Sequence, residues 1–193
     1  MSRISEMLLG SVSPFQLMMG KLVGNMATTL LTTLLYLGAG YAMAAKAGYA
    51  DAISPVAVAS LIVFVTLSIF LFGSLYMAVG AACSELKDAQ SMMMPIMMLS
   101  ILPVGLLATV LKNPSSSIAV GASLFPPATP MLMTLRMALS PTPPLWQLAL
   151  AVVLMGVTTL VCVWASAKIF RTGLLMHGKA PTFREMAKWV VAR

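Results

Sequence analysis

Charged residues cut the chain into five long uncharged runs, 22–45, 52–84, 89–111, 113–135 and 137–167. Each is long enough to cross a hydrocarbon core of about 30 Å, which takes about 20 helical residues. A backbone in hydrocarbon must satisfy its own hydrogen bonds, so such segments are helices. The pattern predicts an all-α chain with four or five crossings.

The run 113–135 departs from the others because it holds Pro114, Pro126, Pro127 and Pro130. An interior proline removes one intrahelical hydrogen bond and clashes with the preceding turn. The cluster at 126–130 therefore predicts two short helices, about 115–124 and 127–138. Together, 113–138 reads as a re-entrant extracytoplasmic hairpin, with its broken backbone covered by protein or water. The spans are then 22–45, 56–83, 90–111 and 145–167, in a polytopic membrane bundle of four transmembrane helices.

Charge distribution favours the same count. With both termini cytoplasmic, Arg3, Lys21, Lys87, Lys168, Arg171, Lys179, Arg184, Lys188 and Arg193 lie inside, against Lys46, Lys112 and Arg136 outside. Cytoplasmic loops are enriched in Lys and Arg. A fifth crossing would lower this asymmetry to eight against four and invert the N-terminus.

Both ends read as amphipathic. In residues 1–20, Ile4, Met7, Leu8 and Val12 have helical spacing, with Arg3 and Glu6 elsewhere on the wheel. Ser13 followed by Pro14 marks a fresh helix start, with serine as N-cap and proline at the first position. In the basic tail 168–193, Thr182 and Glu185 have capping-box spacing, and Phe183, Met186 and Val190 share a face. Two readings stay open for each end: an anchor on lipid, or a dock for a soluble partner.

Composition agrees with the pattern. Sixty per cent hydrophobic residues and 9% charged leave too little polar surface for a water-facing globule or a disordered chain. The net charge of +7 would suggest nucleic acid in a soluble protein, but here topology accounts for it, and no nucleic-acid partner is expected. Cys83 and Cys162 form neither a disulfide framework nor a metal-ligand set.

Candidate chemistry is sparse. The stretch Gly173 to Ala180 nearly matches a phosphate-binding loop, but it has Ala180 where Ser or Thr should hold Mg²⁺, and a membrane helix where a strand should precede it. Met92, Met93, Met94, Met97 and Met98 could suit Cu(I), yet no Cys or His accompanies them in sequence, and flexible apolar packing is the simpler reading. The four spans hold no Asp, Glu or His for acid–base work. Thr28, Thr29, Thr32 and Thr33 are mild polar groups that readily bond their own backbone. Gly20 and Gly24, one turn apart, offer a face for close helix packing. Neither catalysis nor a cofactor is expected of this chain.

Arg3-Ile4-Ser5-Glu6-Met7-Leu8-Leu9, then Ser11 to Leu17 with Gly20-Lys21, resembles type-2 ABC transporter permeases, most nearly the branch that includes sodium-exporter permeases. Ser84 to Gln90 with Pro95, Leu124 to Pro130, and Ile169 to Met176 agree in the same order. The resemblance implies that Ser5 to Pro14 form a coupling helix seated in a groove of a cytoplasmic ATPase. It assigns that contact to Glu6, Leu8, Leu9, Val12 and Phe15. It also implies an exporter permease in the cell membrane, energised by ATP hydrolysed in a separate ABC ATPase subunit. Further implied partners are a second permease copy, a separate N-terminal permease part and the lipid bilayer. Family members carry two more spans and a large extracytoplasmic domain upstream, so the chain resembles their C-terminal part. The competing class is a non-transporting membrane scaffold or an inactive fragment of such a permease.

Overall fold

The computed structural model describes residues 13–49, 53–83, 85–139, 142–175 and 183–191. Seven helices occur among them: α1 (Pro14–Lys46), α2 (Pro55–Ala82), α3 (Leu86–Lys112), α4 (Ser117–Leu124), α5 (Thr129–Ala138), α6 (Leu145–Leu175) and α7 (Phe183–Val191). Among the described residues, four helices are long and apolar enough to cross a membrane, namely α1, α2, α3 and α6. The chain is an all-α polytopic membrane protein.

These helices outrun the uncharged runs that announce them. α1 starts at Pro14, where Ser13-Pro14 predicts a helix start and ahead of the apolar run at 22; α3 starts at Leu86 rather than 90, and α6 continues to Leu175 rather than stopping at 167. Charge marks where apolar sequence ends, but Lys and Arg are good helix formers, so the backbone ladder continues past them. Local chemistry sets the real ends. The Ser13 hydroxyl accepts from the Gln16 amide while the Gln16 side chain accepts from the Ser13 amide, closing a capping box ahead of Pro14. At the other end of α1, Gly48 takes a φ of 79°, the left-handed conformation glycine reaches without strain. Its amide donates to Ala45 and the Tyr49 amide to Ala44, the paired bonds of a Schellman stop.

α2 is the axis of the bundle. It packs most extensively on α6 and also touches α1, α3 and α5. Where α1 begins and α6 ends, Met18, Leu22 and Phe170 are buried together against Phe70 and Met77 of α2. At the opposite end, Phe64 of α2 is buried with Met133 of α5 and with Ala151 and Met155 of α6. The four long helices thus run antiparallel in succession, and α1 starts at the same end as α6 finishes.

Close approach depends on glycines other than the pair at 20 and 24. A Cβ at either Gly20 or Gly24 would meet nothing within 4 Å. One on Gly73 would lie 2.8 Å from the Leu22 side chain, and one on Gly173 would lie 2.8 Å from the Ala81 carbonyl oxygen and 2.9 Å from the Ala82 Cα. Gly20 and Gly24 look the part because they are spaced by one turn, but only packing decides which helix face meets a neighbour. Gly173, the first glycine of the phosphate-loop-like stretch, lies inside α6 against α2; the rest of that stretch lies mostly outside the described residues.

Backbone atoms cannot yield as a flexible side chain can. Gly173→Ala should therefore separate the ends of α2 and α6 and destabilise the bundle by about 1–3 kcal/mol, the usual cost of overpacking. Gly20→Ala, with open space and better helix propensity, should be neutral or slightly stabilising. Thermal unfolding of both variants in detergent checks the contrast.

Candidate functional site

Of the five residues assigned to partner contact, Glu6, Leu8, Leu9 and Val12 lie outside the described residues. Phe15 sits in the first turn of α1, 52% exposed, on the wall of a groove shared with α6. The capping box fixes the direction in which the chain enters α1 and hence the position of Phe15.

The same end of the bundle carries α7. Its Met186 is buried with Val79 and Ala82 of α2 and Met92 of α3, and Trp189 packs beside them. Lys168 of α6 donates to the Val190 carbonyl at 2.8 Å and lies 4.5 Å from the centre of the Trp164 ring. A cation on the last carbonyls of a helix satisfies an acceptor and favours the helix dipole. Of the expected face of Phe183, Met186 and Val190, Met186 makes the buried contact together with Trp189, and the Phe183 side chain lies outside the described residues. Whether Thr182 caps α7 lies outside the described residues.

Met92 does gain a cysteine neighbour, since the Cys83 thiol is 3.5 Å from its sulfur. The start of α3 packs back against the end of α2 to make this contact, which sequence spacing hides. Met94, Met97 and Met98 point away and are exposed. Burial first, and the charge of Asp88 second, push the Cys83 thiol above its ordinary pKa. A thiol kept protonated is a poor metal ligand and a poor nucleophile. Among the described residues no group of three or more His, Cys, Asp or Glu side chains comes together.

The opposite end holds a buried charge where the charge pattern predicts an ordinary loop cation. Arg136, in the last turn of α5, is only 3% exposed. Its Nε donates to the Pro114 carbonyl at 2.8 Å, one terminal nitrogen donates to Ser123 Oγ at 2.7 Å, and the other donates to Gln147 Oε1 at 2.9 Å. These acceptors belong to the α3–α4 turn, α4 and α6, so one guanidinium ties three segments to α5. All are neutral. The sequence signal, in hindsight, was a single arginine between two uncharged runs, with Gln147 among the few polar residues of the second. The segment read as two short helices at 115–124 and 127–138 is α4 and α5, joined by a turn in which the Ala128 and Thr129 amides donate to Phe125.

Hydroxyls along α1 are largely spent on their own helix: Thr28 bonds Gly24, Thr32 bonds Thr28, and Thr33 bonds Thr29. Asn25, Thr28 and Thr29 face Ser68 across a crevice of about 440 Å³ between α1 and α2. The arrangement is that of a membrane bundle with folded ends and a weakly polar crevice, and no catalytic group lines that crevice.

Comparison with known proteins fits this architecture. Residues 1–168 match the family described as ABC-2 family transporter protein. The chain belongs to the ABC-2 transporter family. The match takes in the four long helices up to Lys168, and membrane domains of this family are permease components. Over 195 aligned positions the chain is 25% identical to Uncharacterized protein YhaP of Bacillus subtilis (strain 168), covering 95% of this chain and 46% of that protein. It is 27% identical over 187 positions to Uncharacterized protein MJ1024 of Methanocaldococcus jannaschii, covering 97% of this chain and 46% of that protein. The ABC-2 chain thus spans about half the length of these curated relatives. No solved structure matches it.

Removing the Arg136 head group would leave Ser123 and Gln147 buried without their charged partner. Hydrogen bonds to a charged group contribute about 1.5–3 kcal/mol each, so Arg136→Ala should be among the most destabilising single changes in the chain. Arg136→Lys should recover only part of the loss, because one ammonium cannot reproduce the planar fork. Unfolding midpoints in detergent, with limited proteolysis of the α4–α5 segment, measure both.

Proposed function

We propose that the chain is the permease part of an ATP-driven exporter, with ATP hydrolysed by a separate cytoplasmic ABC ATPase. The family match over residues 1–168 carries this reading, because it covers both the coupling-like segment and the spans. In this reading residues 1–20 include the coupling helix, and Glu6, Leu8, Leu9, Val12 and Phe15 contact the ATPase. Both termini are cytoplasmic, so that Lys21 near the start of α1, Lys87 at the start of α3, and Lys168 and Arg171 near the end of α6 sit on the positive-inside face. The pair α4–α5 forms a re-entrant hairpin on the extracytoplasmic side, and 168–193 is a basic cytoplasmic tail. A second permease copy completes the assembly in the cell membrane.

Three measurements test it. Leu8→Asp with Leu9→Asp puts two charges into the proposed contact, whose central apolar residues contribute roughly 1–3 kcal/mol each. Recovery of the ATPase by pull-down should fall at least about tenfold, while membrane insertion persists. Equal recovery by wild type and double variant overturns the docking role. Orientation is read with an impermeant thiol reagent after Cys83 and Cys162 are replaced. Tyr49→Cys and Ser115→Cys should label from outside, and Leu86→Cys and Ala180→Cys only after permeabilisation. ATPase retention without ATP-dependent transport in vesicles would favour the scaffold class.

A further inference from the structure

Beside the start of α1, the last turns of α6 form one wall of a groove of about 640 Å³. Its apolar lining includes Phe15, Leu160, Val163 and Trp164, and its rim carries Lys168 and Arg171. Leu160, Trp164, Lys168 and Arg171 are spaced by four, four and three residues, so they form one stripe along the helix. The stripe grades from aliphatic through aromatic to cationic. At 1.5 Å rise per residue it is roughly 16 Å long, close to one leaflet of a hydrocarbon core about 30 Å thick.

The two cations differ. Lys168 is engaged with the Val190 carbonyl and the Trp164 ring, so it contributes field more than donors. Arg171 is exposed and has no hydrogen-bond or ion-pair partner among the described residues. A guanidinium so placed presents its planar fork at the polar end of an apolar groove, the geometry that suits a phosphate.

We propose that this groove is a binding site for an anionic phospholipid, with an acyl chain along Leu160, Val163 and Trp164 and the phosphate on Arg171. The charge gradient selects this occupant. A zwitterionic lipid would satisfy the apolar walls but bring its own cation towards Lys168 and Arg171, and a free phosphate would leave the walls bare. The site does not depend on the ATPase assignment; only its leaflet, the cytoplasmic one, follows from the proposed orientation.

Trp164 is the reporter. In a Trp146→Phe, Trp189→Phe background, the chain is reconstituted into vesicles mixing phosphatidylcholine and phosphatidylglycerol, with one or the other brominated on its acyl chains. Brominated phosphatidylglycerol should quench Trp164 with an apparent preference of about fivefold over phosphatidylcholine, the effect of roughly one basic residue at an anionic surface. Arg171→Ala should bring that preference close to one, and Arg171→Lys should keep part of it. Because Arg171 is exposed, helix content by circular dichroism should not change in either variant. Inorganic phosphate should leave quenching unaltered; competition by phosphate would make the site one for a soluble anion and overturn the lipid. Equal quenching by the two lipids, or a preference that survives Arg171→Ala, also overturns the proposal. So does Trp164 shielded from both, which would show a protein segment in the groove.

Discussion

Hydrocarbon offers no water to take up N–H and C=O groups, so every segment that crosses it must close its own hydrogen-bond ladder. That constraint governs this chain at each level. It makes the apolar runs helices, and it turns the hydroxyls of Thr28, Thr32, Thr33, Thr66 and Ser68 back onto carbonyls of their own helices. Little side-chain polarity then remains for contact between spans. Helices in such a medium associate through close packing, and small residues permit it. Gly73 and Gly173 let α1 and α6 approach α2 closely, and the buried Ser60, Ser74 and Ala78 place further small side chains on the same axis.

The two ends of the bundle meet a different problem, since the chain must turn there and its helix termini need partners. Where α1 begins, the solution is mainly apolar. Met186 and Trp189 hold α7 on the ends of α2 and α3, and Lys168 adds one bond to the last turn. At the far end the solution is polar. Prolines at 126, 127 and 130 prevent a continuous helix, and the short pieces that result cannot bury enough surface to hold themselves. Arg136 supplies the missing connection through three neutral acceptors, while Val110, Ala119, Ala128 and Leu132 close the apolar side.

α1 stands apart from this arrangement. It is buried mainly near its start, at Met18 and Leu22, and farther along exposes Leu31, Leu35, Tyr36 and Met43. Crevices between it and α2 are lined by Thr33, Leu37 and Tyr41 in one place and by Asn25, Thr28 and Thr29 in another.

Apolar run length and proline placement determined the all-α class, the four membrane-length helices and the break at 113–138, because both are local properties. Ser13 followed by Pro14 also located the start of α1, since an N-cap and a proline in the first turn are written in adjacent residues. Three features came only with the tertiary structure: the burial of Arg136, the meeting of Cys83 with Met92, and the choice of Gly73 and Gly173 over Gly20 and Gly24 as contact points. Each depends on which face of a helix turns towards a neighbour. A nearly uniform apolar helix carries no periodic signal to say so; α2, the axis of the bundle, is apolar on every side.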